Sequence, residues 1–467
     1  MFTLILDVGK TNIKSHVMDD RGESVWSRSH PNAVQQIGDY PSIDVDETWL
    51  WFQETLRTAA QLYSIAAINV STHGACAVLL SRSGDLLFPV MDYEVQQLEI
   101  DGESYSEVRP DYEHTLSPDL PGGLNLGRQI WWLRLRYPER FGQLSKILLY
   151  PQYWVWKLTG LEVSEVTSLG CHTDLWEPLN RHYSSLVGAL GIENKLAPLV
   201  ESHLPVGRVR TDLASELGLP DSCTVYPGVH DSNGSLARYL VSGIAAPFTV
   251  ISTGTWVVVM AVGNACDRLR EAQDMLANVD VRGKPVACAR FMGGREFETI
   301  CDMTGAGMDD NVTEADLQAI VDQQVFAVPP IEPGSGPFRD SQQSRRLSGT
   351  TTAGKSLATL YLALMIDYEL DLLNSSGPGL LGSTSLKNPM LCQLLAQLRP
   401  DQSIVMSNDH ASTIKGTWCL TRWQRTPPSD FSEFEVATGS QIEGLMRYRD
   451  QWRALAEGRK NAYEELQ

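Results

Sequence analysis

A short strand, a polar turn that contains glycine and a second strand occur twice in this sequence, about half a chain apart. The first unit spans residues 2–18 with its turn at 7–12, and the second spans 248–262 with its turn at 252–255. Apolar runs that end in Gly, Asp, Asn and Ser are typical of strands joined by tight turns. A repeat at this distance indicates two related domains, since solenoid repeats have periods of about 20–50 residues.

Strand and helix patterns alternate through both halves of the chain, which is typical of an α/β fold. The expected strands cover residues 2–6, 12–18, 24–29, 66–71, 75–80, 225–228, 248–251, 256–262 and 404–406. The expected helices cover residues 46–63 with Asp46 as N-cap, much of 130–190, 235–240, 357–373, 389–398 and a charged segment from about 442. We expect an N-terminal domain at residues 1–243, a C-terminal domain at 244–426 and a helical tail at 427–467.

The charge balance argues against two classes of partner. The chain has 467 residues with 38 Lys and Arg against 57 Asp and Glu, a net charge of −19, whereas nucleic acids and anionic membranes attract basic surfaces. The apolar run at the start is too short for a signal peptide, and the longest later run, 256–262, is too short to span a membrane. Eight scattered cysteines without a CxxC pair favour reduced thiols. We therefore expect a cytoplasmic protein with neither partner.

Residues 349–356 match the P-loop pattern GxxxxGK[ST]. A P-loop needs a buried strand that leads into the glycine loop, because helix and loop amides together hold the phosphates. The residues before this segment, 341–346, are polar and cannot form a central strand. We therefore expect a capped helix start, and we keep a P-loop nucleotidase or kinase that uses Lys355 as an alternative hypothesis.

The turn at residues 7–12 is a candidate phosphate site. Gly9 lets the backbone approach a ligand, while Lys10 and Lys14 supply positive charge beside the acidic start of the turn. An ordinary Asp-Gly hairpin with solvated lysines explains this stretch equally well. The similar turn at 252–255 favours the phosphate hypothesis, because two such hairpins could hold one polyphosphate.

Other polar clusters follow predicted strands. In segment 228–234, Asp231 could act as a general base, although its spacing alone favours a helix cap, and His230 alone is more often structural. Polar residues at 71–74 and 92–94 suit a polyol, but they are also ordinary turn residues. The nine histidines lack metal-ligand spacing, so no transition-metal site is expected.

Taken in order, four segments resemble the FGGY carbohydrate kinases of the actin–hexokinase superfamily. Residues 7–14 resemble the DxGATNxR hairpin of L-fuculose kinases, and 137–160 resemble the family's PE-F and Y-WxLTG run. Residues 228–231 resemble the HDT segment of L-rhamnulose and L-fuculose kinases, and 252–256 resemble the SSGTW turn of rhamnulose kinases. The resemblance extends to about residue 420.

This resemblance implies an α/β fold with two actin-like (ribonuclease H-like) lobes, each a mixed β-sheet with flanking helices, and an active-site cleft between them. It implies Mg²⁺-dependent transfer of the ATP γ-phosphoryl group to a small ketose, such as the deoxyketohexoses L-rhamnulose or L-fuculose. Alternatives are a kinase for a xylulose-like or ribulose-like ketose or a polyol, and a non-catalytic sensor that binds nucleotide and sugar. A homodimer is expected at family level.

The resemblance also implies roles for single residues. Asp231 would be the general base, and Asp7 would lie near the Mg²⁺-bound phosphates and contact the ion through water. The implied ATP and phosphate contacts are Gly9, Lys10, Thr11, Asn12, Lys14, Thr253, Gly254, Thr255, Gly382 and Asn388. The implied sugar contacts are His73, Gly74, Asp92, Glu94, His230 and Asp231. Two features depart from the family: Lys10 replaces a small or hydroxyl residue, and residues 381–388 replace a GGGSKN-like adenine loop.

Overall fold

The computed structural model describes residues 2–96, 98–341, 346–382, 388–407, 412–425 and 434–458. The chain divides into two compact units. The first contains Met1–Ile244, Ala277–Pro285 and Ala411–Ser432, and the second contains Ala245–Leu276, Val286–His410 and Glu433–Gln467. The sequence analysis expected continuous domains at 1–243 and 244–426, whereas both units are discontinuous in sequence. Tertiary contacts explain the difference: the Ala277 amide donates to the Leu116 carbonyl at 2.9 Å within the first unit.

Secondary structure up to Val241 belongs to the first unit. Its strands are β1 (Phe2–Val8), β2 (Asn12–Met18), β3 (Ser24–Pro31), β4 (Val34–Ile37), β5 (Tyr40–Ile43), β6 (Ile65–Thr72), β7 (Ala77–Leu80), β8 (Val90–Met91), β9 (Lys146–Leu149), β10 (Trp176–Glu177), β11 (His182–Tyr183), β12 (Gly207–Arg208), β13 (Thr224–Val225) and β14 (Val229–His230). Its helices are α1 (Val45–Leu62), α2 (Tyr112–Thr115), α3 (Leu126–Arg136), α4 (Pro138–Phe141), α5 (Tyr150–Thr159), α6 (Val166–Leu169), α7 (Ser185–Leu190), α8 (Thr211–Leu217) and α9 (Asp231–Val241).

The remaining elements follow Val241. The strands are β15 (Phe248–Thr253), β16 (Val257–Val262), β17 (Met275–Val279), β18 (Pro285–Phe291), β19 (Phe326–Val328), β20 (Arg346–Ser348), β21 (Gly379–Leu381), β22 (Ile404–Ser407) and β23 (Phe434–Val436). The helices are α10 (Gly293–Thr304), α11 (Glu314–Asp322), α12 (Gly354–Leu372), α13 (Pro389–Leu398), α14 (Ser412–Leu420) and α15 (Leu445–Ala456). In the described part of the chain, no helix combines the length and the apolar character needed to cross a membrane.

The main sheet of the first unit has the order β12-β13-β6-β1-β2-β3, and β14 also pairs with β6. Strand β1 is antiparallel to β2 and parallel to β6, and both β13 and β14 are parallel to β6. Alternate residues of β1 explain the packing of both faces. Leu4 and Leu6 belong to the core formed with α1 and α5, whereas Ile5 packs with Trp418 of α14. The sheet is therefore covered on both sides.

The main sheet of the second unit contains β18-β16-β15-β21-β22-β23 in this order. Strand β15 is antiparallel to β16 and parallel to β21, which is itself parallel to β22. Most of α12 is buried. Each unit thus contains a mixed sheet with flanking helices, and the predicted α/β class is confirmed.

Several expected elements are confirmed, and others need correction. The two strand–turn–strand units form β1–β2 and β15–β16. The predicted cap Asp46 is wrong: α1 begins at Val45, and the N-cap Asp44 accepts a hydrogen bond from the Glu47 amide. The region 130–190 also contains three short strands, because β9 pairs with the distant β7 and β10 pairs with β11. Part of the predicted tail, 427–433 and 459–467, lies outside the described residues.

Candidate active site

The carboxyl ends of three parallel strands bring several predicted site residues together in the first unit. Asp7 of β1 is paired in register with Ser71 of β6, and Thr72 of β6 is paired with His230 of β14. The Ser71 hydroxyl donates to the Asp7 carboxylate at 2.6 Å. Asp231 follows β14 directly as the first residue of α9. The sheet register therefore places Asp7 and the residues before Asp231 at one edge.

The Asp7 carboxyl group has a perturbed pKa. Desolvation by the surrounding protein raises its pKa to about 6; the Ser71 hydrogen bond and the charge of Lys14 lower it, and the charge of Asp231 raises it. A cation that approaches such a carboxyl group stabilises its ionised form. Among the described residues, no cluster of three or more His, Cys, Asp or Glu is placed to hold a metal ion. One carboxylate fits Mg²⁺, which usually keeps several waters and binds substrate phosphates.

The turn between β1 and β2 is a tight hairpin that requires glycine. The Gly9 amide donates to the Asn12 carbonyl at 3.0 Å, and a Cβ atom at Gly9 would lie 2.9 Å from that oxygen. Asn32 fixes the turn from β3, because its side chain donates to the Gly9 carbonyl at 2.8 Å. Thr11 and Asn12 are exposed at the tip, and Lys14 is also exposed. The hairpin thus presents polar groups on a fixed backbone.

Lys10 contacts the predicted sugar segment. Its ammonium group lies 2.5 Å from both carboxylate oxygens of Asp92 and 3.4 Å from the carboxylate of Glu94. It also lies 5.1 Å from the centre of the Tyr93 ring. The predicted phosphate ligand Lys10 and the predicted sugar residues Asp92 and Glu94 are therefore direct neighbours, and the lysine charge is paired within the first unit.

Two histidines contact the segment around Gly74, and one of them, His230, lies beside the Asp231 carboxylate. The Nε2 atom of His230 is 3.5 Å from the Asp231 carboxylate, and a Cβ atom at Gly74 would lie 2.7 Å from the same Nε2. The glycine therefore gives the His230 ring its space. The Nδ1 atom of His73 is 3.0 Å from the Gly74 carbonyl, whereas its buried Nε2 has no hydrogen-bond partner among the described residues. A neutral His73 that donates through Nδ1 has a free acceptor at Nε2.

The two rings have different electrostatic surroundings. Burial lowers the pKa of His73 more than neighbouring groups raise it. Burial also acts to lower the pKa of His230, but the charges of Cys171 and Asp231 outweigh it and raise that pKa to about 9. His230 is therefore cationic near neutral pH.

Asp231 lies at the start of α9 with a partly exposed side chain. Its carboxylate accepts the Ser232 amide at 2.6 Å, so it satisfies one free N–H at the start of α9. The N-cap position itself is occupied by His230, not by Asp231 as spacing alone favoured. The Asp231 side chain is 36% exposed, so a ligand can reach it.

In the second unit, the turn after β15 lies against the start of α10. The Gly254 amide donates to the Trp256 carbonyl at 3.0 Å, and the Gly294 amide donates to the Thr255 carbonyl at 3.2 Å. A Cβ atom at Gly294 would lie 2.3 Å from the Gly254 carbonyl oxygen, so only glycine allows this approach. Thr253 ends β15, and Gly254 and Thr255 are exposed. This glycine-dependent turn leaves its tip open to a ligand.

Of the two predicted adenine residues, Gly382 follows β21 and Asn388 is the N-cap of α13. The Gly382 amide donates to the Ile251 carbonyl of β15 at 3.0 Å, and the side chain of Asn388 donates to the Thr359 hydroxyl at 2.8 Å. Gly382 is therefore adjacent to the strand that leads into the 253–255 turn. Residues 383–387 of the predicted loop lie outside the described residues.

The P-loop hypothesis is wrong. The strand before the loop, β20, pairs with β19 in a two-stranded sheet, and α12 begins at Gly354. The Lys355 ammonium group donates to the carbonyls of Met308 and Asp310, each at 2.7 Å. A P-loop lysine must face phosphate at the end of a buried strand, and neither condition is met.

Sequence reasoning missed two polar side chains behind Asp231. Thr167 accepts the backbone N–H of His230 at 3.0 Å, and Glu165 accepts the Thr167 hydroxyl at 2.6 Å. The sequence segment from residue 137 to 160 ends just before them, and no local pattern distinguishes them from helix-cap residues. Only their buried contacts with β14 point to a role at the site.

Two family models together match almost the whole chain. Residues 2–237 match the N-terminal domain of the FGGY family of carbohydrate kinases, and 245–428 match the C-terminal domain of carbohydrate kinase FGGY. A solved carbohydrate kinase from Novosphingobium aromaticivorans is 33% identical, with a TM-score of 0.88, over 98% of this chain and 99% of that one. A xylulose kinase from Lactobacillus acidophilus, 16% identical with a TM-score of 0.81 over 99% and 98% of the two chains, shares the fold.

Curated relatives match a shorter stretch. An L-fuculokinase from Salmonella typhi is 26% identical over 273 residues, which is 56% of this chain and 57% of the relative. A rhamnulokinase from Enterococcus faecalis is 28% identical over 199 residues, 40% of this chain and 38% of the relative. The alignment with the L-fuculokinase thus spans little more than half the length of either protein.

Proposed function

The chain belongs to the FGGY family of carbohydrate kinases, and on that premise we propose that it transfers the γ-phosphoryl group of ATP to a hydroxyl group of a small ketose. The observation that carries this proposal is the edge of the first sheet, where Asp7 is held beside Ser71 and Asp231 follows β14. A carboxylate for the phosphate side and an accessible carboxylate for the acceptor suffice for a reaction that depends mainly on positioning and charge stabilisation.

Asp231 is the proposed general base. It is partly exposed, the Ser232 amide orients its carboxylate, and the Nε2 atom of His230 lies 3.5 Å from that carboxylate. A carboxylate within hydrogen-bond distance of the acceptor hydroxyl can take the proton as the oxygen attacks phosphorus. Exclusion of water would then protect ATP from hydrolysis.

The acceptor ketose is proposed to bind between His73 and the Lys10–Asp92 pair. The free Nε2 acceptor of His73 suits a sugar hydroxyl donor, and the ion pair holds Asp92 in one orientation. Lys10 thus serves the sugar side in this proposal, although the sequence resemblance implied a phosphate contact. Relatives named L-fuculokinase and rhamnulokinase favour a deoxyketohexose such as L-fuculose or L-rhamnulose.

Each glycine turn is proposed as a candidate ATP contact, described within its own unit. In the first unit, the hairpin at Gly9–Asn12 and the exposed Lys14 supply donors and positive charge. In the second unit, the turn at Thr253–Thr255 exposes Gly254 and Thr255, and Gly382 and Asn388 are the proposed adenine contacts. Mg²⁺, held near Asp7 and the phosphates, would neutralise charge that develops on the transferred group. We place the reaction in the reducing cytoplasm, in keeping with eight scattered cysteines without a CxxC pair.

The experiment is an ADP-release assay with ATP, Mg²⁺ and a panel of ketoses and polyols that includes L-fuculose, L-rhamnulose, L-xylulose and L-ribulose. We expect turnover with one or a few ketoses, and NMR of the product would identify the phosphorylated hydroxyl. Absence of ADP release across the panel would contradict the kinase proposal and favour a sensor that binds nucleotide and sugar.

A further inference from the structure

A chain of buried side chains connects helix α6 to the end of strand β14. The backbone N–H of His230 donates to the Thr167 hydroxyl oxygen at 3.0 Å, and that hydroxyl donates to Glu165 at 2.6 Å. Glu165 also accepts the Thr167 amide at 2.9 Å and the hydroxyl of Ser202. The side chains of Glu165, Thr167 and Ser202 are almost completely buried. The chain of contacts lies entirely within the first unit.

Strand β14, whose last residue His230 is bonded to Thr167, is very short. Strand β14 has two residues, so pairing with β6 supplies few hydrogen bonds to fix its position. A second buried side chain holds the residue before it: the Gly228 amide donates to the Asn69 side chain at 3.1 Å. The segment that leads to Asp231 is therefore fixed by side chains at both ends, with Asn69 at its start and Thr167 at its end.

Burial makes this arrangement costly unless it is complete. A buried carboxylate such as Glu165 needs several donors, and it receives them from Thr167 and Ser202. A fold that only needed to fill this space could use apolar residues without that requirement. The Glu165 side chain instead accepts the proton of the Thr167 hydroxyl, so that a lone pair of the hydroxyl oxygen faces the His230 amide next to Asp231.

We propose that Glu165 and Thr167 are positioning residues that fix the backbone of His230 and so aim the Asp231 carboxylate at the acceptor hydroxyl. This inference rests on the proposed function, in which Asp231 is the general base. Neither residue touches the substrate in this proposal. Their effect passes through one backbone hydrogen bond, and a displacement of about 1 Å at a catalytic group can lower a rate about a hundredfold.

The test compares Thr167→Val with Thr167→Ser. Valine keeps the shape and removes the hydroxyl, whereas serine keeps the hydroxyl and removes one methyl group. With the ketose that the panel identifies, we expect Thr167→Val to lower kcat at least tenfold while both KM values change less than about threefold. Thr167→Ser should recover kcat to within about threefold of wild type. Equal kcat in Thr167→Val and wild type would overturn the proposal. A lower kcat that comes together with raised KM values for both substrates and lower thermal stability would also overturn it.

Hydrogen exchange separates this inference from the proposed function. Measured without substrate, peptides that cover residues 228–235 should exchange faster in Thr167→Val than in wild type or Thr167→Ser, while peptides of β15 and β16 stay unchanged. If the wild-type protein phosphorylates no sugar, the kinase proposal fails. Faster local exchange in Thr167→Val would even then support the proposal that Thr167 fixes the position of β14. Unchanged exchange in Thr167→Val would contradict the proposal that Thr167 fixes β14, even if the wild-type enzyme is active. If Thr167→Val does not fold, Thr167→Ala replaces it with the same expectations.

Discussion

Replacing Lys10 with methionine keeps most of the side-chain volume and removes the ammonium group that lies 2.5 Å from both oxygens of Asp92. The Asp92 side chain is 4% exposed and that of Lys10 is 20% exposed, so a nearly buried carboxylate loses its cation. Breaking a fully buried pair costs about 3–5 kcal/mol. Because Lys10 is partly solvated and Asp92 also accepts the Glu94 amide, we expect the free energy of unfolding to fall by roughly 2 kcal/mol.

Two matched variants check the origin of that loss. Glu94 is 65% exposed and lies 3.4 Å from the same ammonium group, so Glu94→Gln should change the free energy of unfolding by less than about 0.5 kcal/mol. Adding Asp92→Asn to Lys10→Met removes the unpaired charge and should recover about half of the loss. Urea denaturation followed by intrinsic fluorescence measures all four proteins. Equal losses in Lys10→Met and Glu94→Gln would refute the reasoning.

Steady-state kinetics of the same variant separate the two roles of Lys10. If the lysine orders the sugar segment, Lys10→Met should raise KM for the ketose about tenfold, which corresponds to about 1.4 kcal/mol of binding free energy. KM for ATP should stay within about twofold of wild type. The opposite result, with a raised KM for ATP and an unchanged KM for the ketose, would identify Lys10 as a phosphate ligand.

Three further predictions concern the same edge of the sheet. Asp231→Asn should lower kcat by roughly 10²–10⁴ and leave sugar binding, measured by calorimetry, within about threefold of wild type; near-normal turnover would reject Asp231 as the base. In the free protein, burial raises the pKa of Asp7 to about 6, so kcat/KM should fall as pH drops through 6 and the carboxylate takes up a proton. Because the pKa of Asp7 is higher in the folded than in the unfolded protein, this group stabilises the fold at pH values below the unfolded pKa, and that contribution is lost as pH rises through about 6. Asp7→Asn should therefore be inactive, yet at least as stable as wild type in urea titrations at pH 7. Lower stability of the variant at pH 7 would contradict this direction of the effect. Gly74→Ala puts a Cβ atom 2.7 Å from Nε2 of His230, so it should lower kcat/KM for the ketose at least tenfold without changing KM for ATP, and unchanged kinetics would show that the ring moves freely.

Local patterns were sufficient wherever neighbouring residues decide the structure. The hairpin at Gly9 follows from apolar runs on both sides of a turn that only glycine allows, and the β15–β16 unit follows from apolar runs on both sides of its polar turn. The position of Asp231 after a strand and at the start of a helix was also predictable, because strand end and helix start are adjacent in sequence. Its role as a base came from the family resemblance and stays a proposal.

Contacts between distant residues decided the rest. Lys10 and Asp92 are 82 residues apart in sequence, and Thr167 and His230 are 63 residues apart. No local sequence pattern could predict either contact. Helix α14 was not expected, and it covers β1 through Trp418.

The sequence by itself determined the two strand–turn–strand units and the order of the site segments, because backbone preferences and hydrophobic alternation act over a few residues. The tertiary structure decided which charges are paired, which glycines face a ring or a carbonyl, and which buried hydroxyl holds β14. Those outcomes depend on distances between elements that meet only when the chain is packed, and a one-dimensional pattern carries no such distances.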